Sequence, residues 1–259
     1  MRKPLLNITT FSEKRKEVLL LLLEGNKMLE EIREKLNESS PSILPQIKIL
    51  KEYRLVCQTK EGYHLTDIGR LVALELDKLN STCEAMQKHQ EYLITHESSS
   101  IPMHLLERIG ELKEMELRTP KPAEAFDPYS VVVEELKKSK TIKTFVTIYH
   151  PAYPLIYADL LEKGVRIELV MGTDIFEKVK TDYPQLPFLF MGLENSNLYI
   201  YDNESGLSTI ICTDRFVLVS LFTDKKTYDL SVLHSKDKRA LKWGDDLFQY
   251  YLEKSTLVK

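Results

Sequence analysis

The chain has 259 residues, 43% hydrophobic and 29% charged, with a formal net charge of −3. This balance excludes a disordered or collagen-like chain and fits a globular protein of two domains with ample core. Cys57, Cys83 and Cys212 are unclustered and odd in number, so neither a disulfide framework nor a zinc knuckle is expected. The longest apolar run, Val18 to Leu23, is far too short to span a membrane. No signal-peptide hydrophobic region ending in a small-residue cleavage site is visible, and the cytoplasm is the expected compartment.

Residues 12–66 read as three helices and a hairpin. Ser12 is a plausible N-cap for a helix running to Glu24 and closed near Gly25. Leu29, Ile32 and Leu36 form one apolar stripe of a second helix. After the turn-rich Asn37–Pro41, Ile43, Ile47 and Leu50 mark a third, with Ser42 as cap and Pro45 at its third position. Residues 55–59 and 63–66 then pair around Lys60-Glu61-Gly62. With Leu55-Val56 before the hairpin and Leu65-Thr66-Asp67-Ile68-Gly69 after it, the segment resembles the winged-helix domains of bacterial and archaeal regulators.

That resemblance implies double-stranded DNA as a partner, with the third helix in the major groove. Ile43, Ile47 and Leu50 would dock on the other helices. Ser42, Pro45, Gln46, Lys48 and Lys51 would face the duplex, with Lys60 on the wing. Gln46 suits the N6/N7 edge of adenine, and Ser42 or Lys48 a phosphate or base acceptor. The same polar residues also read as an ordinary solvated helix face. Residues 1–75 hold thirteen Lys/Arg against eleven Asp/Glu, a net of +2, so phosphate attraction must come from a local patch. Arg2, Lys3, Lys14, Arg15 and Lys16 are further members of it.

From Thr66 one long helix is expected to about His96, with an apolar seam of Ile68, Val72, Leu76, Leu79, Cys83, Met86 and Leu93 broken by Gln90. The seam serves either this chain's second domain or the same helix of a second copy, and two half-sites favour a homodimer. Another short amphipathic segment follows at 103–114, and Arg118–Pro122 reads as a hinge.

Beyond the hinge, the β-branched run Thr141–Tyr149, a helix from Pro154 to Lys163 ended by Gly164, and a strand Val165–Met171 make a βαβ unit. Thr173 caps a helix to Tyr183. Short strands follow at 197–201, 209–212 and 216–222, and a last helix runs from Lys236 to Lys254. Four stretches, Tyr149–Pro154, Leu161–Val170, Thr227–Ser231 and Ala240–Tyr251, are similar to an archaeal family of regulators that join a winged helix to a methanogenesis-regulatory-protein-type middle domain. The resemblance implies a transcriptional regulator and a non-catalytic, phospholipase D-like second domain.

The expected fold is therefore an α+β N-terminal winged helix-turn-helix (1–70), connector helices (71–122) and a C-terminal α/β sheet domain (123–259). Phospholipase-type catalysis needs His-x-Lys-x4-Asp; His234-Ser235-Lys236 begins it in an expected polar loop, but Leu241 stands where Asp is required. No cofactor, metal or catalytic residue is expected. At the carboxyl ends of the first two strands, Tyr149, His150, Thr173 and Asp174 gather groups suited to a small polar or anionic metabolite. Alternatively, His150 and Asp174 only cap and charge their helices. The leading reading is a DNA-binding regulator whose second domain senses a small molecule or mediates association. A diverged phosphodiesterase or nuclease, and a winged-helix protein-interaction module, are the alternatives.

Overall fold

The computed structural model describes residues 4–120 and 130–258, which form two compact units divided between Cys83 and Glu84. Arg2, Lys3 and the Lys121–Pro122 end of the expected hinge lie outside the described residues.

The first unit opens with a short helix absent from the sequence reading, α1 (Leu5–Thr10), which buries Ile8. Ser12 is extended ahead of α2 (Glu13–Leu21), but its hydroxyl makes no capping bond. A 3₁₀ turn, Leu22–Glu24, and Gly25 at φ +127° close that helix. Helix α3 (Leu29–Leu36) ends at Asn37 in the left-handed region. Helix α4 (Ser40–Glu52) starts earlier than expected: Ser39, not Ser42, is its N-cap, and Pro41 falls in its first turn. Pro41 is tolerated there because that N–H would have no intrahelical acceptor. Pro45 consequently lies inside the helix, not at its third position. The stripe Ile43, Ile47, Leu50 is buried against Val18, Leu19, Leu22 and Ile32, as the spacing requires.

Strands β1 (Val56–Thr59) and β2 (Gly62–Leu65) pair antiparallel, with Thr59 opposite Gly62, so the turn is Lys60–Glu61 and Gly62 already belongs to the second strand. Gly62 stands at φ +106°, and any Cβ would lie 2.4 Å from the Lys27 carbonyl oxygen. Lys27 and Tyr63 exchange backbone hydrogen bonds of 3.0 and 2.9 Å at this approach. Thr66 caps the next helix: its hydroxyl accepts from Gly69 N at 3.0 Å and donates to Arg54 O at 2.7 Å. A Cβ on Gly69 would sit 1.8 Å from the Leu55 carbonyl oxygen, so Leu-Thr-x-x-Gly is a packing requirement between hairpin and helix.

Helix α5 (Asp67–Thr95) has the expected extent but not the expected face. In the first unit it buries Gly69, Ala73, Leu76 and Ser81; in the second, Ala85, His89 and Tyr92. Of the expected seam, Leu76 is buried, Val72, Met86 and Leu93 are half-buried, and Ile68, Leu79, Cys83 and Gln90 are exposed.

In the second unit the segment expected as a connector joins the core. Helix α6 (Met103–Leu106) and a 3₁₀ turn, Ile109–Leu112, lead to strand β3 (Glu116–Arg118). Then come α7 (Ser130–Lys138), β4 (Thr141–Val146), α8 (Ala152–Glu162), β5 (Arg166–Gly172), α9 (Thr173–Asp182), α10 (Gln185–Gly192), β6 (Ser196–Tyr201), β7 (Leu207–Thr213), β8 (Val217–Leu221), β9 (Val232–Ser235), α11 (Lys238–Leu252) and β10 (Thr256–Leu257). The first strand stops at Val146, short of Tyr149. Gly172, not Thr173, is the N-cap of α9. The last helix begins at Lys238, where the Asp237 carboxylate accepts from Arg239 N and Ala240 N. His234 lies within β9 opposite Leu218, correcting the expected polar loop.

The eight strands order β10-β6-β5-β4-β7-β8-β9-β3. β4, β5 and β6 are parallel, as the βαβ reading requires, and the other pairings are antiparallel. One face packs on α7, α8, α9 and α10 through Val132, Leu136, Tyr157, Leu161, Phe176 and Phe190. The other packs on α11 and the end of α5 through Phe145, Trp243, Leu247, Phe248 and Tyr92. Two of the polar groups enclosed there are paired: Trp243 Nε1 donates to Leu105 O at 2.9 Å, and the Tyr92 hydroxyl accepts from Leu221 N at 2.9 Å.

Candidate nucleic-acid interface and sheet-edge cleft

The buried stripe Ile43–Ile47–Leu50 decides which side chains of α4 face outward. Pro41, Leu44, Pro45, Lys48, Lys51 and Glu52 are exposed, opposite the Ile43–Ile47–Leu50 stripe. Ser42 and Gln46 are half-buried on the flank toward α2. The Gln46 side-chain oxygen accepts from Arg15 Nη1 at 2.8 Å, and Lys14 donates to the Ser42 hydroxyl. Lys14 also pairs with Glu38 at 2.7 Å, and this holds the Glu38 carboxyl below its usual pKa. Arg15 further donates to Ile8 O at 2.6 Å. Of the six sequence-predicted DNA contacts, Pro45, Lys48, Lys51 and Lys60 are therefore exposed, whereas Ser42 and Gln46 are occupied within the unit. Lys51 Nζ donates to Gln58 Oε1 at 2.9 Å, tying helix to wing. On the wing, Cys57 Sγ lies 2.9 Å from His64 Nε2. Pro41 was missed because it was read as lying before the helix, and Leu44 because an apolar residue was not counted among the outward-facing ones.

In the second unit the proposed ligand residues do gather at the carboxyl-terminal edge of the parallel strands, where Val146, Met171 and Ile200 are in register. Most already have partners. The Tyr149 hydroxyl donates to Asp182 Oδ2 at 2.6 Å, and that carboxylate raises the phenol pKa to about 12. His150 Nδ1 accepts from Ala152 N at 3.2 Å, a capping arrangement at the start of α8. Thr173 Oγ1 donates to Asp202 Oδ1 at 2.9 Å. Asp174 is exposed in the first turn of α9.

On the other face of the same edge lies a cleft of about 590 Å³. Tyr201, Phe222, Tyr250 and Tyr251 supply aromatic walls, and Glu97, Ser205 and Lys226 supply polar ones. Tyr251 donates to Ser100 O at 2.7 Å, and burial pushes its phenol up to about 12. Gly206 is required here, since a Cβ would lie 2.4 Å from Glu97 Cβ. Sequence reasoning missed this cleft: Tyr201 and the Tyr250-Tyr251 pair are far apart in the chain, and only the fold joins them.

His234 is half-buried against Phe216, its ring centroid 5.9 Å away, and burial lowers its pKa. Lys236 pairs with Glu135 at 3.1 Å. Among the described residues no group of three His, Cys, Asp or Glu side chains is arranged to hold a metal ion. Among the same residues no helix is long and apolar enough to cross a membrane.

Comparison with known proteins gives the family. The N-terminal domain of the methanogenesis regulatory protein FilR1 matches residues 3–84, and its middle domain matches residues 125–254. The curated FilR1 of Methanothrix harundinacea (strain 6Ac) is 23% identical over an alignment of 249 residues that covers 94% of this chain and 56% of that protein. The chain thus spans about half the length of the curated relative it matches. Among solved structures, the archaeal chromatin protein TrmBL2 aligns over 98% of this chain and 97% of its own at 13% identity, TM-score 0.44. The phospholipase D family member Nuc of Salmonella typhimurium aligns over 56% of this chain and 99% of its own at 12% identity, TM-score 0.41. By its two matched domains, this chain belongs to the family of the methanogenesis regulatory protein FilR1.

Proposed function

We propose that this chain is a cytoplasmic DNA-binding transcriptional regulator that acts as a homodimer, and that its sheet unit senses a small polar molecule. One observation carries the DNA reading: Lys48 and Lys51 on the exposed face of α4, with Lys60 at the wing turn, form a cationic surface in a unit whose overall charge is nearly balanced. Helix and wing are the two elements a winged helix presents to a duplex. Three lysines on phosphates imply a log–log salt slope of roughly −3 per unit. Anisotropy titration of the full chain against a duplex from upstream of its own gene, across a salt series, tests this. Lys48→Ala is expected to flatten the slope by about 1. Absence of binding at low salt would sink the reading.

The dimer reading is supported by Ile68, Leu71 and Leu79 on α5, which are 59, 67 and 55% exposed. Leu71→Glu is expected to shift the sedimentation mass from two chains toward one. For sensing, the cleft around Tyr201 and Tyr251 fits better than the Tyr149–His150–Thr173–Asp174 group. The cleft offers volume, whereas Tyr149 and Thr173 donate to carboxylates of their own unit. The family's regulatory role favours this reading over a phosphodiesterase.

A further inference from the structure

The face that α4 turns to solvent is chemically odd for a DNA reader. Its first turns expose Pro41, Leu44 and Pro45, and Lys48 and Lys51 follow. In the major groove, guanine, adenine and cytosine present hydrogen-bonding edges, which Arg, Asn, Gln, Glu or Asp read well. Thymine differs in carrying the C5 methyl group, which an apolar side chain reads by contact. Neither proline has a side-chain donor or a backbone N–H to offer. The one amide side chain of the helix, Gln46, is turned aside and accepts from Arg15, and the Ser42 hydroxyl accepts from Lys14. Lys51 is engaged with Gln58 at the wing. Glu52 stands at the far end of the helix, about two turns beyond Leu44.

We infer that α4 reads thymine methyl groups: Leu44, flanked by Pro41 and Pro45, packs on C5 methyls in the major groove while Lys48, Lys51 and Lys60 hold the flanking phosphates. The N-terminal turns of a recognition helix are the ones that reach the bases, and the apolar strip lies there with the lysines C-terminal to it. The positive charge beside this strip selects a polyanion as its occupant over an apolar protein surface. Leu44 is 40% exposed and thus already presents a methyl-bearing surface without rearrangement. The inference rests on the DNA-binding reading above, and its test keeps the two apart.

The probe is one 24-base-pair duplex of mixed sequence in three forms: natural, with deoxyuridine for every thymidine, and with 5-methylcytosine for every cytosine. Pairing is the same in all three, and only groove methyls change. The full chain is titrated against each by anisotropy. Loss of one buried methyl is expected to weaken binding about fourfold. The uracil form should therefore bind several-fold more weakly than the natural one, and the methylcytosine form more tightly. Leu44→Ser, at an exposed position that leaves the fold intact by circular dichroism, should bring the thymine-to-uracil ratio close to one. Lys48→Ala should weaken all forms equally. Salt-dependent binding with equal affinity for the thymine and uracil forms overturns the methyl readout and leaves DNA binding standing. A ratio unchanged by Leu44→Ser overturns the assignment to that residue. No binding to any form at low salt overturns both readings and points to a protein partner for this face.

Discussion

The two units are stabilised by different chemistry. In the first, the described core is almost wholly aliphatic, and Thr9 and Ser81 are its buried polar side chains. Its precision comes from two places where backbone meets backbone, at Gly62 and Gly69. In the second, buried His89, His96, Thr144, Ser208 and Ser220 lie among the apolar residues. The serines bridge neighbouring strands, with Ser208 donating to Ser220 O at 2.9 Å and Ser220 to Ser231 O at 2.7 Å. An aliphatic core holds its shape by packing alone, whereas polar groups inside a core make each unmet hydrogen bond count.

The sharpest way to break this contrast is a pair of glycine substitutions. Gly69→Ala drives a methyl into a backbone carbonyl at 1.8 Å, so hairpin and helix must separate. A loss of about 3 kcal/mol or more from the first unit is expected, visible as an early transition in urea followed by far-ultraviolet circular dichroism. Gly244→Ala meets Val217 Cγ2 at 2.4 Å and Cys212 Sγ at 3.1 Å, both side-chain atoms that can yield. About 1–2 kcal/mol is expected there. Trp243 is the single tryptophan, so its fluorescence reports the second unit alone. Equal costs at the two glycines would remove the distinction drawn here.

Next in size are the polar partners of the second core. Tyr92→Phe removes the acceptor of the Leu221 N–H in a buried site, and about 1–3 kcal/mol should be lost. Thr66→Ala, the counterpart in the first unit, removes a helix cap and should cost about 1 kcal/mol. Chemical denaturation of each variant checks the order.

The smallest expected effect separates the units by pH. Burial holds His89 and His234 below the ordinary value of 6.5, so each is neutral when folded at a pH where the unfolded chain begins to take up protons. Their contribution is complete above about pH 6.5 and declines as the pH falls below it toward the folded values. In the first unit the depressed group is Glu38, whose contribution is lost only in the carboxylate range. Lowering the pH from 7.5 to 5.5 should thus shift the tryptophan-detected transition and leave the first unit's transition in place. His89→Leu should reduce that shift.

Periodicity located the three central helices, the hairpin and the βαβ unit, because each is set by residues close in sequence. The stripe Ile43–Ile47–Leu50 and the strand Ile167–Leu169 needed no distant partner to be read. What escaped depends on contacts far along the chain. Strand β3 exists because Glu116–Arg118 meets Val232–His234, and three residues carry no period. The seam of α5 was misread because a helix shared by two cores follows neither one's stripe throughout. On α4 the stripe fixed the buried face, but Gln46 lies at its flank and is taken up by Arg15, 31 residues away in the chain, and exposed Leu44 reads in sequence as one more apolar residue. Thr173 and Tyr149 were located at the right edge of the sheet, but their carboxylate partners Asp202 and Asp182 are 29 and 33 residues away.

The ends of the eight-stranded sheet bear on how its edges meet other strands. One side is closed by the three residues of β3 and the other by the two of β10, Thr256–Leu257, laid against Tyr199 and Ile200. Such short outer strands offer an approaching chain almost no unpaired backbone to extend. Were β10 removed, the six-residue β6, with Leu198, Tyr199, Ile200 and Tyr201 in sequence, would become an open template for strand addition. Residues 256–257 thus cover the middle of that edge with two backbone partners.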